Sequence, residues 1–115
     1  MQKTVLFAFR GDPMCFIHVL LNGLDCADRG MEGKIIIEGE AVKLVPEMNK
    51  PDHFLHQLFK KAQELGIIVG ACRACSNKLG VAQAVTDTGI ELIGDMSGHP
   101  AMSEYIDMGY NVITF

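Results

Sequence analysis

Two cysteines three residues apart, Cys72 and Cys75, are the sharpest chemical signal in this 115-residue sequence. Cys72 directly follows the apolar run Ile67-Ile68-Val69-Gly70-Ala71 and precedes a helix-forming stretch. A thiol at a helix start meets unsatisfied N–H groups, which favour its anion. Cysteines so placed titrate at about 3.5–7.5, against ~8.5 when free. Arg73 adds a positive charge beside it, so Cys72 is expected to be an acidic, reachable thiol. Cys75 lies one turn on, where its sulfur can face that of Cys72, and is expected to be the less acidic and less exposed of the two. The pair admits three active chemistries: a sulfur-handling thiol, a thioredoxin-like redox couple, or half of a metal site. The bland alternative is two small residues packed under a strand. Zinc is the least supported, because it asks for four ligands in a tetrahedron. There is no second CxxC, and only His99, with Glu40 as a fourth ligand, falls on the same edge. The expectation is therefore no metal and no organic cofactor.

Other candidates follow from the rule that open parallel sheets bind ligands at the carboxyl ends of their strands. The segments there hold Arg10, Gly11, Asp12 and Cys15; Glu38, Gly39 and Glu40; Cys72, Arg73 and Cys75; and Asp95, Ser97, Gly98 and His99. His99 is a candidate base or proton donor for the thiol, or simply a helix-entry residue before Pro100. Glu38 and Glu40 either orient a substrate or solvate a strand end. His18, His53 and His56 are expected on helix surfaces away from that edge. Cys15 and Cys26 fall on the first helix and are expected to pack, although Cys15, near its start, lies close enough to approach the site. No phosphate-binding loop, GxSxG or GxGxxG occurs.

The elements that must position these groups alternate. Thr4–Phe9, Lys34–Glu38, Ile67–Ala71, Ile90–Ile93 and Tyr110–Phe115 are short apolar runs, read as strands. Asp12 as N-cap with Pro13 after it opens a helix, whose stripe is Ile17, Leu20, Leu21 and Leu24. Gly30 stops it. A second helix begins around Asn49, Pro51 and Asp52, carries Leu55, Leu58, Phe59, Ala62 and Leu65 on one face, and ends at Gly66. A third runs from about Arg73 to Leu79 and stops at Gly80; the last runs from His99-Pro100 through Met108 to Gly109. Val81–Val85 is weakly helical, and Glu40–Val45 is undecided between a strand and a helical turn. The fold class expected from βαβ alternation is α/β, a three-layer α/β/α domain with a mainly parallel five-stranded sheet.

Size and charge agree with one such domain over residues 1–115. With 49% hydrophobic and 21% charged residues the chain is ordinary for a globular protein, not a disordered one. A net charge of −4 and no basic stripe argue against nucleic acid as a partner. No apolar run reaches the ~18 residues of a membrane span, and the N-terminus does not read as a signal peptide. Four cysteines in such a chain point to thiols in a reducing compartment, the cytoplasm.

With Cys72 placed after the third strand, the sequence resembles the DsrE/DsrF-like family, which includes the YchN and TusD proteins. The resemblance runs over nearly the whole chain. It is carried by Thr4–Phe9, by Ile36-Ile37-Glu38-Gly39-Glu40-Ala41-Val42, by Gly70-Ala71-Cys72-Arg73-Ala74-Cys75-Ser76-Asn77-Lys78-Leu79-Gly80-Val81, and by the closing Met102–Phe115. Cys72 followed eight residues later by Gly80 is its most specific part. The resemblance implies that Cys72 accepts a persulfide and hands it on, with sulfur donor and acceptor proteins as partners. It also implies a homo-oligomer, a trimer or hexamer. Cys75 is an addition relative to single-cysteine carriers, although it looks like the CxxC of some YchN-like members, and it would act as a resolving thiol. The rivals are a non-catalytic small-ligand or interaction module on the same fold and a CxxC dithiol oxidoreductase.

Overall fold

In the computed structural model, which describes residues 1–115, five strands form one sheet in the order β4-β3-β2-β1-β5, with every pair parallel. They are β1 (Lys3–Ala8), β2 (Glu32–Ile37), β3 (Ile68–Cys72), β4 (Leu92–Ile93) and β5 (Asn111–Thr114). The helices are α1 (Pro13–Asp28), α2 (Leu44–Met48), α3 (His56–Glu64), α4 (Arg73–Lys78), α5 (Ala82–Asp87) and α6 (Met102–Asp107), with a 3-10 helix at Gly39–Lys43.

Alternate residues of β1 and β2 explain why these runs are apolar on both sides. Leu6, Ala8, Ile35 and Ile37 face a large core with α1, α2, α3 and α5, where Phe16, Val19, Leu20, Val45, Met48, Leu55, Phe59 and Val85 are buried. Val5, Phe7 and Ile36 face the other way, under Met102 and Tyr105 of α6 and Tyr110 and Val112 near β5. Tyr105 stands edge-on to Phe7, with ring centroids 6.0 Å apart, and edge-on to Tyr110 at 5.3 Å. The three layers are therefore unequal: one face carries most of the helices and the other only the six-residue α6.

Helix entry and exit follow the sequence closely. Asp12 Oδ1 accepts from the Met14 N–H at 2.8 Å, with Pro13 at the first helical position. Four helices then close in one way. After α1, α3, α4 and α6 comes a glycine (Gly30, Gly66, Gly80, Gly109) at positive φ. Its N–H bonds back three residues, and the next N–H reaches one turn further, as in Val81 to the Ser76 carbonyl at 2.9 Å. This pair of hydrogen bonds satisfies the last carbonyls and turns the chain toward the next element, a strand after α1, α3 and α6 and helix α5 after α4. Gly80 therefore has a structural reason to follow Cys72 at a fixed spacing.

Several expectations shift. The buried stripe of α1 is Phe16, Val19, Leu20, Gly23 and Leu24, with Ile17 half-buried and Leu21 exposed. Gly23 draws that face in: a Cβ there would lie 2.9 Å from Ile35 Cδ1. Leu65 is exposed just after α3. Glu40–Val45 is helical, and Val81–Val85 belongs to α5, which extends to Asp87. The last helix starts at Met102, leaving His99 in the preceding loop. In β3, the register slips between Ile35↔Ile68 and Ile36↔Gly70, so that Ile68 and Ala71, three residues apart, both serve the large core. Strict alternation would put them on opposite faces.

Candidate functional site

Pairing register builds the site. Cys72 is the last residue of β3 and lies opposite Ile93, the last of β4; Ala71 lies opposite Ile37, the last of β2. Glu38 and the Gly94–His99 loop therefore emerge beside Cys72. That loop is pinned at both ends of a tight turn, with Met96 N–H to the His99 carbonyl at 2.8 Å and His99 N–H to the Met96 carbonyl at 2.9 Å. Ser97 at its tip has φ 52°, a left-handed conformation unusual outside glycine. The Gly98 carbonyl accepts from the Ala74 N–H of α4 at 2.8 Å, and the Cys72 sulfur, as N-cap, accepts from the Cys75 N–H at 3.4 Å. Two orphan donors of α4 are thus satisfied, one by the loop and one by the thiol.

This arrangement delivers His99 to both cysteines. Its Nδ1 is 3.1 Å from Cys72 Sγ and 4.0 Å from Cys75 Sγ. Cys72 Sγ also approaches the Gly98 carbonyl at 3.8 Å. A cavity of about 360 Å³ opens beside the imidazole, lined by Phe9, Glu38, Met96, His99, Pro100, Met102 and Ser103. A larger one, about 590 Å³, lies elsewhere, lined by Arg10, Cys15, His18, Asn22, Thr114 and Phe115; Cys72 and Cys75 line neither cavity.

Burial reverses the expected characters of the two thiols. Cys72 is 0% exposed, while Cys75 is half-buried. Burial pushes the Cys72 thiol up to about 11; the Cys75 N–H pulls down, and the Cys75 side chain and Glu38 push up. Arg73 does not counter this: its side chain is exposed, with the guanidinium against the Gly94 backbone. A resting Cys72 is thus a neutral, sealed thiol whose sulfur touches the His99 imidazole. Glu38, only 6% exposed, has its carboxyl raised by burial to about 7.

Of the residues singled out in the sequence, Cys72, Cys75 and His99 converge, and Glu38 joins them across the cavity wall. Glu40 does not: it is an exposed partner of Lys43 at 2.8 Å, the ordinary fate of a charge on a 3-10 turn. Cys15 sits at the other cavity, and Cys26 packs under Gly33. His53 and His56 serve structure rather than a bare surface. His53 Nδ1 accepts from the Leu55 N–H at 3.0 Å, and His56 Nδ1 lies 2.9 Å from the Met48 carbonyl. Phe9, Met96, Pro100, Met102 and Ser103 also form the cavity wall, and nothing in their type or spacing tells a wall from packing.

Two outcomes test these environments. Iodoacetamide at pH 7 should label Cys75 at least tenfold faster than Cys72, with the Cys72 rate still climbing above pH 9, as read by peptide mass spectrometry. A Cys72 that reacts first, with a midpoint below ~8.5, would overturn the buried-thiol account. For Glu38 the folded pKa lies above the ordinary 4.5, so its contribution to stability is complete below about pH 4.5 and is lost as the pH climbs through about 7. Glu38→Gln should leave urea stability nearly unchanged at pH 4 and raise it by about 3 kcal/mol at pH 8. Equal effects at both pH values would contradict the assignment.

No helix is long and apolar enough to cross a membrane. An uncharacterized protein of Methanocaldococcus jannaschii is 31% identical over 97 residues, covering 84% of this chain and 77% of that protein. An uncharacterized protein of Archaeoglobus fulgidus is 42% identical over 40 residues, 35% of this chain and 66% of its own length. No solved structure matches. The sequence model of the DsrE/DsrF-like family matches residues 14–115, a span that holds α1, four of the five strands and the whole cysteine–histidine cluster, and to that family the chain belongs.

Proposed function

We propose that this protein is a sulfur carrier of the cytoplasm, with Cys72 as the thiol that takes up sulfane sulfur. The observation that carries this reading is the contact of Cys72 Sγ with His99 Nδ1 at 3.1 Å, inside a DsrE/DsrF-like frame. In the tautomer with its proton on Nε2, His99 accepts the Cys72 proton as the sulfur attacks, the established way to activate a thiol that is neutral at rest. Cys72 sulfur bonds to the outer sulfur of a donor persulfide, the donor's S–S bond breaks, and His99 returns the proton to the departing donor sulfur. Cys72–SH and R–S–SH become Cys72–S–SH and R–SH, with no net oxidation and no cofactor. Burial shields the loaded sulfur from stray thiols. An acceptor thiolate completes the relay by attacking the outer sulfur and releasing Cys72. Glu38 and His99, on the cavity wall, and Arg73, the exposed residue after Cys72, are the groups that would orient the donor.

Cys75 takes the second role. Its thiolate can attack Cys72 Sγ of the loaded form, giving a Cys72–Cys75 disulfide and HS⁻, so it limits the lifetime of the persulfide. The proximity of the two thiols also favours a second reading, a dithiol oxidoreductase, in which that disulfide is the working state and passes to protein dithiols.

Intact-protein mass spectrometry after incubation with a sulfane-sulfur donor discriminates. The wild type should gain one sulfur atom, Cys72→Ser should gain none, and Cys75→Ser should load and hold its sulfur longer. Loading of Cys72→Ser but not Cys75→Ser would move the carrier role to Cys75. Equal loading of both variants would leave a binding module on this fold as the better reading, and a disulfide without sulfur uptake would favour the oxidoreductase.

The proposal includes a homo-oligomer, a trimer or hexamer. It rests on the thin face of the sheet, where Ile106 (61%) and Met108 (52%) stand exposed on α6 and just after it, beside the open edge strand β5. Clustered apolar exposure of this kind marks interaction surfaces. Light scattering at micromolar concentration should give a multiple of the 12.6 kDa chain; a monomer alone would contradict it.

A further inference from the structure

We infer that Cys72, Cys75 and His99 form a binding site for a thiophilic divalent cation of the zinc class. Their three ligand atoms lie within 4.8 Å of one another, the one such group of histidine, cysteine and carboxylate side chains in the fold. The spacing suits the ion. Zinc–sulfur bonds of about 2.3 Å and zinc–nitrogen bonds of about 2.05 Å at tetrahedral angles put sulfur and nitrogen about 3.5 Å apart. The two observed sulfur–nitrogen separations, 3.1 and 4.0 Å, bracket that value. Both use the same nitrogen, Nδ1, so a single imidazole nitrogen stands near both sulfurs.

The chemistry of the donors selects the ion. Two thiolates and an imidazole are soft to borderline ligands, which favour zinc and its neighbours over magnesium or calcium. Binding is balanced by proton release: Zn²⁺ replaces the two thiol protons, and the resulting Zn(S⁻)₂N centre carries no net charge, which suits its buried setting. The Cys75 N–H, 3.4 Å from Cys72 Sγ, gives that sulfur a hydrogen bond that stabilises its anion. Three protein ligands leave a fourth position for water or an exogenous thiolate, which can approach because Cys75 is only half-buried and His99 lines a cavity. Glu40, the fourth ligand considered from sequence, is engaged by Lys43 and plays no part.

This site does not depend on sulfur transfer, since a chain that never carries sulfur offers the same three ligands. The two occupancies exclude one another, because Cys72 Sγ bonded to a metal cannot hold a persulfide. Metal occupancy would thus switch the carrier off.

The experiment uses the reduced, full-length protein and two probes, Co²⁺ and Zn²⁺. Co²⁺ should bind one per chain, with sulfur-to-cobalt charge-transfer absorption and the intense visible bands of a tetrahedral centre, and Zn²⁺ should displace it. Cys75→Ser should abolish the charge-transfer pattern or weaken binding at least a hundredfold, and His99→Ala should weaken it at least tenfold. A readout on the wild type guards against misfolded variants: Zn²⁺ should slow alkylation of Cys72 and Cys75 at least tenfold, reversibly with a chelator, and leave Cys15 and Cys26 unaffected. Absence of stoichiometric Co²⁺ binding, an unchanged spectrum in a folded Cys75→Ser, or equal protection of all four cysteines would each overturn the site. Persulfide loading is read separately on metal-free protein, so failure of one assignment leaves the other standing.

Discussion

The parallel register across β2, β3 and β4 is the constraint on which the rest depends. Because Ile37 pairs with Ala71 and Cys72 pairs with Ile93, three strands end level with one another, and whatever follows each is delivered to one place. Glu38, the CxxC and the loop to His99 are far apart in sequence and meet only because backbone ladders hold them there. The slip in β3 is part of the same constraint. An extra residue at Val69 resets the alternation, so Ile68 and Ala71, three residues apart, both serve the large core. Gly70 makes the crowding tolerable: a Cβ there would lie 2.5 Å from Ile93 Cδ1 and 2.7 Å from the Glu91 carbonyl.

Burial then decides the chemistry. A thiol and a carboxyl taken out of water both favour their neutral forms, and the Glu38 charge adds to the cost of ionising Cys72. The helix N-terminus beside Cys72 contributes a single N–H to its sulfur, while the neighbouring N–H is taken by Gly98. Six residues of helix cannot outweigh loss of solvent. The site therefore has the form of a neutral thiol in contact with an imidazole nitrogen.

The two faces of the sheet divide the labour. The large core, from α1, α2, α3 and α5, fixes the strands that carry Glu38 and Cys72. The smaller cluster under α6 is held by Phe7, Tyr105 and Tyr110 and by a hydrogen bond from the Tyr110 hydroxyl to the Glu32 carboxylate. It leaves the last helix and edge strand with apolar side chains in water. The cavity beside His99 is walled by Met102 and Ser103 of that same helix, so whatever covers α6 also neighbours the site.

Much of this was legible in one dimension. The five apolar runs, the Asp12-Pro13 entry and the glycines after the helices are local signals, since each acts through its own φ, ψ and nearest hydrogen bonds, and they mark the alternation that makes a parallel sheet. Residue type alone also pointed to Cys72, Cys75 and His99, because strand ends converge in such sheets. What sequence could not carry was long-range. The acidity expected of Cys72 assumed a solvated thiol with Arg73 beside it, whereas side-chain direction sent Arg73 outward and packing sealed Cys72. Glu38 and Glu40 are alike in sequence, yet one follows a buried strand into the core edge and the other turns out on a 3-10 helix to meet Lys43. Desolvation and the meeting of Cys72 with His99, 27 residues away in the chain, are properties of the folded whole, set by register and packing rather than by any neighbour in the chain.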